Sequence, residues 1–272
     1  MSIVFINPYR YDPDAEDYIN RVIAADVAAG NTSGLEVGVQ DAINAFFVGC
    51  KNDGIWDAIK ASCILAGART LDGALVPLVG AAPTNYNFVS GDYDRETGLK
   101  GDASTKYLNS NRAGNADPQD SFSLTTYLTE IHTDTSNAGV YIGNGGTGTG
   151  ASNLYRGRLS NILVEHGGRC RASTNSGNQG ANPPATGLFG VSRSASSSYT
   201  LRTGATNYIL NTASEIPATG DFFVFAREDG AGSSSFPTNA RISFYSIGES
   251  LDLALFDTRV SALITAIGAA IP

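Results

Sequence analysis

The sequence predicts a mainly β protein: an antiparallel β-sandwich or jelly roll, preceded by a small helical region and closed by a C-terminal helix. Residues 71–248 read as about a dozen short extended segments, and glycines, of which the whole chain has 31, cluster where turns between them are expected. Residues 1–70 and 249–267 instead carry apolar side chains at helical spacing. We therefore expect an N-terminal segment and helical subdomain over residues 1–70. The sandwich with its closing helix is expected over residues 71–272.

Three stretches of the first block show helical spacing. Asp12 and Pro13 form a start signal, because proline is well tolerated at the first helical position. Apolar residues recur three or four positions apart over residues 18–23, 35–50 and 55–64, with Gly- and Asn-containing breaks between them. We therefore expect three helical segments in this block.

From residue 71 the pattern changes to short strands, with period-2 alternation clearest over residues 121–129. Two further strands, over residues 220–228 and 240–248, enclose a tight Asp-Gly turn and a polar loop. Short hairpin links make the sheets mostly antiparallel. The other expected strands lie at residues 75–79, 85–89, 97–101, 106–108, 140–142, 154–159, 161–164, 187–192, 198–201 and 207–210.

The order of strand, Asp-Gly turn, strand and helix over residues 220–267 resembles the end of laminin-G-like, concanavalin A-like sandwiches. It is most similar to those of tail-fibre, baseplate and other accessory proteins of bacteriophage virions. Residues 106–110 and 120–128 resemble an early strand pair of the same pattern, so the resemblance spans roughly residues 85–268. It implies a concanavalin A-like fold.

The same resemblance implies a structural protein exposed on a phage particle, as a tail fibre, baseplate component or capsid decoration. Its partners would be further copies of itself in a homotrimer, other virion proteins and a host-surface glycan. The N-terminus lacks the basic start and long apolar stretch of a signal peptide. We therefore expect synthesis in the host cytoplasm and a final place in the virion. The apolar segment over residues 1–11 either docks onto a sheet edge of a neighbouring chain or forms a strand of its own fold.

Composition excludes several other partners. The formal net charge is −8 and no Lys/Arg cluster is present, which argues against nucleic acid and against anionic membranes. Continuous apolar runs fall short of the roughly 20 residues that a membrane helix needs. Cys50, Cys63 and Cys170 are odd in number and widely spaced, so we expect small buried apolar side chains and neither disulfides nor zinc.

Asp92, Asp94 and Glu96 form the sharpest acidic cluster. Concanavalin A-like glycoside hydrolases use an E-x-D-x-E spacing for nucleophile and acid/base, but here Asp92 stands at the first position. A second interpretation is calcium, since the three match the first loop positions of an EF-hand, although Ala103 replaces the bidentate glutamate. The flanking glycines favour a third, a solvated turn.

The remaining chemical candidates are weak. His132 and His166 lack a G-x-S-x-G serine and a ligand-spaced partner, so we expect exposed or hydrogen-bonded loop histidines. The Gly-rich run over residues 143–150 lacks the Lys-Ser/Thr of a phosphate loop and predicts a hairpin connection. Tyrosines in or beside strands are expected in the core or on a sheet face: Tyr141, Tyr155, Tyr199, Tyr208 and Tyr245.

With no catalytic constellation recognised, we expect that the chain is not an enzyme, needs no cofactor and acts through its surfaces. The alternative is a glycan-binding lectin module, which needs a concave polar site with stacking aromatic rings. A less favoured alternative is a glycan hydrolase that uses Asp94 and Glu96.

Overall fold

The structure is a computed structural model, and it describes residues 11–159, 162–173 and 184–272. The predicted docking segment over residues 1–11 therefore falls almost wholly outside the described residues. The helices are α1 (Pro13–Ala28), α2 (Val37–Asn52), α3 (Leu71–Ala74) and α4 (Leu253–Ala270). The strands are β1 (Ile59–Ile64), β2 (Pro77–Val79), β3 (Thr84–Tyr86), β4 (Tyr93–Asp94), β5 (Gly98–Lys100), β6 (Tyr107–Ala113), β7 (Phe122–Glu130), β8 (Gly139–Asn144), β9 (Ser152–Leu159), β10 (Ile162–Arg169), β11 (Gly187–Arg193), β12 (Tyr199–Thr203), β13 (Thr206–Leu210), β14 (Asp221–Val224), β15 (Arg227–Glu228), β16 (Ser234–Ser235) and β17 (Arg241–Gly248).

Two antiparallel sheets form the expected sandwich, which confirms the fold class. We call the larger one sheet A; it runs β13-β12-β11-β7-β17-β1-β2, with β5 also paired to β17 and β4 paired to β5. Sheet B runs β10-β9-β8-β14-β6-β3. The small hairpin β15–β16 stands apart from both sheets.

The molecule has a third layer, because helices cover the outer face of sheet A. One apolar cluster fills the space between the sheets, with Leu124 and Ile247 from sheet A meeting Leu108 and Phe222 from sheet B. A second cluster joins α1, α2 and α4 to the other face of sheet A, where Phe244 of β17 contacts the rings of Phe46 and Phe256. Sheet A is thus covered on both faces, and the outer face of sheet B lies on the far side of the molecule from the helices.

The predicted helix over residues 55–64 is wrong. A single 3₁₀ turn over Trp56–Ala58 leads directly into β1, which pairs with β17 and β2. A strand that is covered on both faces does not need to alternate apolar with polar residues, since the side chains on both faces are buried. Ala61 and Cys63 face the cluster between the sheets, whereas Ile59 and Ile64 face the helices. The resulting run of apolar residues imitates a helical stripe.

The other expected elements are confirmed, with ends that differ by a few residues, except that the strand expected over residues 220–228 is divided into β14 and β15, which belong to different sheets. Asp12 is the N-cap of α1, and its carboxylate accepts a hydrogen bond from the backbone N–H of Asp14 at 3.0 Å. The closing helix begins at Leu253 after its own aspartate cap, Asp252. By length and composition α4 would suffice to cross a membrane, a property that buried core helices share, and its apolar face packs in the second cluster. The division at residue 70 stays a prediction.

Candidate functional site

The outer face of sheet B carries a groove of about 290 Å³. Its floor consists of residues from the three neighbouring strands β3, β6 and β14, and its wall is the turn of the β15–β16 hairpin. Strand alternation places Phe222 and Val224 in the core and directs Phe223 outward. The register pairs Phe223 with Asn109 and Tyr107 with Tyr86, so these side chains share the outer face. The groove is lined by Tyr86, Tyr107, Asn109, Thr219, Gly220, Asp221, Phe223, Glu228, Gly230 and Gly232.

Three aromatic rings stack in a row across these strands. The rings of Tyr86 and Tyr107 are nearly parallel, at 6° with centroids 4.4 Å apart, and Tyr107 stacks on Phe223 at 4.8 Å. Phe223 is buried, Tyr107 is half-buried and Tyr86 is 40% exposed. Burial, and then the neighbouring Tyr86, raises the pKa of Tyr107, so its hydroxyl stays protonated at neutral pH. The row therefore presents a graded apolar surface that ends in an exposed ring on an edge strand.

Polar groups adjoin the aromatic row. The Asn109 side-chain amide donates to Oδ2 of Asp221 at 3.1 Å. Both residues are half-buried. Oδ1 of Asn109 accepts the backbone N–H of Asn111 at 2.8 Å, and the second carboxylate oxygen of Asp221 can accept a hydrogen bond from a ligand. Apolar ring faces beside a few fixed polar groups are the usual make-up of a small-molecule site.

The wall of the groove is held by one buried carboxylate. Oε1 of Glu228 accepts the backbone N–H groups of Gly230 and Gly232 at 2.9 and 2.6 Å, and Oε2 accepts that of Gly145 at 3.1 Å. A Cβ at Gly220 would lie 2.3 Å from Oε2, so only glycine lets the carboxylate take this position. Glu228 thereby fixes the hairpin turn against the end of β8, and its oxygens already have partners.

A second groove, of about 360 Å³, lies in the helical layer beside Trp56. The indole packs on Phe47 with ring centroids 4.5 Å apart. Three charged residues around the groove have opposite charges beside them: Asp17 pairs with Arg21, and Lys60 pairs with Glu249. The sheet B groove is the better candidate because its aromatic row and its polar groups share one concave surface.

The acidic cluster lies around the tight turn that joins β4 to β5. Asp92 pairs with Lys106 at 2.6 Å and accepts the Val89 N–H. Asp94 accepts the N–H of Glu96 and both the N–H and hydroxyl of Thr97, as in a tight turn. Glu96 is exposed. Since β4 ends at Asp94, no strand carries all three side chains on one face.

In the described part of the chain, no three His, Cys, Asp or Glu side chains are arranged to hold a metal ion. Protein donors already occupy the carboxylates of Asp92 and Asp94. Calcium at the Asp92, Asp94 and Glu96 cluster stays a prediction of the sequence, as does the absence of any other cofactor.

Both histidines are hydrogen-bonded, as expected, but they are fully buried, and His166 lies inside β10 and not in a loop. His132 Nδ1 lies 3.0 Å from the Thr238 hydroxyl, and burial lowers the pKa of the imidazole. His166 Nδ1 lies 3.1 Å from the Thr203 hydroxyl, and its ring stacks on Phe189. These contacts stabilise the core, and both histidines lie away from the groove.

The prediction that the cysteines are buried is confirmed, and so is the placement of the tyrosines in the core or on a sheet face. Cys50, Cys63 and Cys170 are buried and free, and burial raises the pKa of all three thiols, to about 12, 12 and 11. Of the five tyrosines expected in the core or on a sheet face, Tyr141, Tyr199 and Tyr245 are buried and Tyr155 and Tyr208 are half-buried. The Gly-rich run is the hairpin connection between β8 and β9.

Sequence reasoning missed the groove residues as a set. Tyr86, Tyr107 and Phe223 were placed in expected strands, and alternation along 106–109 and 221–224 would have directed Tyr107, Asn109 and Phe223 to one face. The sequence does not show that β3, β6 and β14 are neighbours. They meet although more than 100 residues separate β6 from β14.

No family model and no curated protein matches this sequence. Solved structures that match this chain include a Trypanosoma rangeli sialidase in complex with a difluoro-KDN compound, at 10% identity and a TM-score of 0.47. An arabinofuranosidase complexed with arabinofuranosyl-alpha-1,2-xylobiose matches at 12% identity and a TM-score of 0.37. Domain 4 of a GH43 extracellular arabinanase from Geobacillus stearothermophilus, in complex with arabinotriose, matches at 8% identity and a TM-score of 0.34. The matches cover 82%, 78% and 71% of this chain and 39%, 43% and 83% of those chains.

The chain thus spans about two fifths of the length of the sialidase and of the arabinofuranosidase. At these identities and TM-scores the similarities assign neither an activity nor a substrate to it. They do correct one expectation. The expectation that the chain is not an enzyme is wrong: the similar structures include sialidases and glycoside hydrolases, which is the enzyme class of the less favoured hydrolase alternative.

The similar structures that carry a printed function are carbohydrate-active proteins. They give no support to a laminin-G-like family or to a phage origin, so both remain predictions from the sequence. The glycan-binding alternative is compatible with them.

Proposed function

We propose that this chain binds a glycan in the groove on the outer face of sheet B. The observation that carries the proposal is the row of Tyr86, Tyr107 and Phe223 beside Asn109 and Asp221 in one concave surface. A sugar ring has C–H-rich faces that pack on aromatic rings and a rim of hydroxyl groups that need donors and acceptors. The groove offers both kinds of contact.

The groove is preorganised, which reduces the entropy lost on binding. Tyr107, Asn109 and Phe223 lie on paired strands, and their rings or amide are already held by neighbours. The facing wall is fixed by the three backbone bonds to Glu228. A ligand therefore meets a formed surface.

Tyr86→Ala and Tyr107→Ala test this function. We expect each to weaken binding of a neutral oligosaccharide by about tenfold or more, because truncation of a central aromatic contact commonly costs over 1 kcal/mol. Binding is measured first for the wild type on a panel of neutral plant, bacterial and animal oligosaccharides, then by calorimetry on the best ligand. The matched control is Ile209→Ala, which removes an exposed apolar side chain from β13 at the edge of sheet A.

A wild type that binds no member of the panel overturns the proposal, as does a Tyr86→Ala variant that binds as well as wild type. Far-UV circular dichroism of each variant separates lost binding from lost folding. Release of reducing sugar in the same samples measures turnover, and Asp221→Asn then shows whether any turnover depends on the groove.

The homotrimer, the virion location and the partner virion proteins stay proposals that rest on the sequence resemblance alone. Light scattering with size exclusion measures the first of these. A discrete trimer supports an assembled appendage, and a monomer argues against it.

A further inference from the structure

Arg169 of β10 and Arg227 of β15 lack the ion pairs that most described cations form. Most described lysines and arginines pair with a carboxylate: Arg21, Lys51, Lys60, Arg69, Arg95, Lys100, Lys106, Arg112, Arg202, Arg241 and Arg259. Arg171 and Arg193 are fully buried and donate to backbone carbonyl oxygens. Arg169 and Arg227 are half-buried, and within the described residues neither forms an ion pair.

The guanidinium of Arg169 is largely without partners among the described residues. Its Nη1 donates to the carbonyl oxygen of Gly146 at 3.4 Å, at the long end of hydrogen-bond distances. Its Nε is buried, and no acceptor for it lies in the part of the chain that the structure describes. A buried donor of a charged group that lacks an acceptor is costly, and the cost is removed when an anion supplies the acceptor.

Arg227 is held in place but not neutralised. Its guanidinium carbon lies 4.8 Å from the centroid of the Phe236 ring, and its Nε is 3.3 Å from the Ser235 hydroxyl. Burial, and then the charge of Arg169, lowers the pKa of Arg227. The nearby carboxylate of Asp229 accepts the backbone N–H groups of Ala231 and Ser233.

Gly146 links the segments that carry the two arginines. The carbonyl oxygen of Gly146 accepts from Arg169, and the N–H of Gly146 donates to the carbonyl oxygen of Glu228 at 2.9 Å. Arg227 directly precedes Glu228, and successive strand residues point to opposite sides. Since Glu228 faces the aromatic groove, Arg227 faces the other side of the hairpin. Burial and then the charge of Arg169 lower the pKa of Arg227. The carboxylates of Asp229 and Glu228 act in the opposite direction.

We propose that Arg169 and Arg227 form a binding site for an oxyanion: a sulfate or carboxylate group, either free or carried by a sugar. The planar fork of a guanidinium matches two oxygens of such a group, and two forks can hold one anion from two sides. A bound anion offsets the repulsion between two adjacent cations and supplies the acceptor that Nε of Arg169 lacks. The site lies apart from the aromatic groove and does not depend on the function proposed for it.

The probes are sodium sulfate, glucose 6-sulfate, sodium glucuronate and uncharged glucose. Each is titrated into the protein, and sodium chloride is added to keep the ionic strength constant. We expect saturable calorimetric binding of at least one anion and no binding of glucose at this site. Tighter binding of glucose 6-sulfate or glucuronate than of sulfate identifies a sugar-borne anion, and equal or tighter binding of sulfate identifies a free one. Either order supports the site.

Arg169→Gln and Arg227→Gln remove the charges one at a time, and each is expected to weaken anion binding by about tenfold or more. Lys60→Gln is the matched control, because it removes a surface cation of the helical layer that pairs with Glu249. Arg227→Lys keeps the positive charge but lacks the planar guanidinium group. We expect it to lose less anion affinity than Arg227→Gln, and it remains informative if a glutamine variant fails to fold. Absence of saturable binding by any anion overturns the site, and so does wild-type affinity in both glutamine variants. Tyr86→Ala should keep full anion binding, which separates this site from the groove.

Discussion

The hydroxyl of Tyr141 lies 2.9 Å from Nε2 of His166 in the middle of the sandwich. The same hydroxyl accepts the backbone N–H of His132 at 3.3 Å, so one tyrosine joins both histidines of the chain. All three residues are fully buried. A buried imidazole that lacks a negative counter-charge is more stable in its uncharged form, because burial penalises the cation.

We expect the free energy of unfolding to fall as the pH drops from about 6.5 towards 3. Burial, and then the charge of Arg156, lowers the pKa of His166 to about 3 from an ordinary value of 6.5. Between these values the unfolded chain binds a proton that the folded chain does not, so acid favours unfolding by up to about 1.4 kcal/mol per pH unit. Above pH 6.5 this contribution is fully present. Urea unfolding at several pH values from 7 to 4 measures the slope.

The variant His166→Gln isolates this effect, since the carboxylates that also titrate in acid are common to both proteins. Its unfolding free energy should depend less steeply on pH than that of wild type, whatever its absolute stability. His132, whose pKa is also lowered by burial, accounts for part of the slope that remains. Equal slopes in the two proteins contradict the assignment.

Arg193 stabilises the loops beside β11 and β12 through backbone carbonyl groups. It is fully buried, and its guanidinium donates to the carbonyl oxygens of Cys170, Ala195, Ser198 and Thr212. A lysine has no planar fork and cannot reach all four, so Arg193→Lys should lower the free energy of unfolding by about 2–4 kcal/mol. Chemical denaturation measures the difference.

Arg21→Lys serves as the control for that substitution. Arg21 is 41% exposed, pairs with Asp17 on the surface of α1 and donates to a single backbone carbonyl oxygen, that of Pro77. The same exchange of arginine for lysine should cost less than about 1 kcal/mol there. Equal losses at the two positions would mean that the buried carbonyl contacts of Arg193 contribute little.

The sequence predicted the strands well because turn residues and alternation are local signals. The closing pair and helix over residues 220–267 appear where the pattern placed them, as β14 to β17 and α4. The failure at β1 has a physical cause. This strand lies between the core and a helical layer, and nothing local shows that Ile59 and Cys63 are buried on opposite faces.

The residues of the candidate site could not be predicted from local sequence patterns, for a related reason. Asp92, Asp94 and Glu96 stood out because they are close in sequence, but their spacing reflects the geometry of a turn. The groove is assembled by sheet B, which brings Tyr107 beside Phe223. Only the pairing of β6 with β14 shows that proximity.

Glu228→Gln should loosen the wall of the groove. The substitution keeps the shape but replaces one oxygen by an amide group, which cannot accept the N–H of Gly145 or those of Gly230 and Gly232. We expect a loss of about 1–3 kcal/mol in the free energy of unfolding and weaker ligand binding in the groove. Thermal unfolding and calorimetry measure the two effects. Glu96→Gln, on an exposed turn, should change stability by less than about 0.5 kcal/mol.

Phe46 should couple the helical layer to the sandwich. Its ring lies 5.8 Å from that of Phe244 on β17 and 6.3 Å from that of Phe256 on α4, centroid to centroid. Phe46→Ala should therefore lower the free energy of unfolding by about 3–5 kcal/mol. Trp56 fluorescence reports on the helical layer and near-UV tyrosine dichroism on the sandwich, and in both proteins we expect the two signals to change in one coincident transition. Separate transitions, with Trp56 alone affected by the substitution, would support an independent subdomain over residues 1–70.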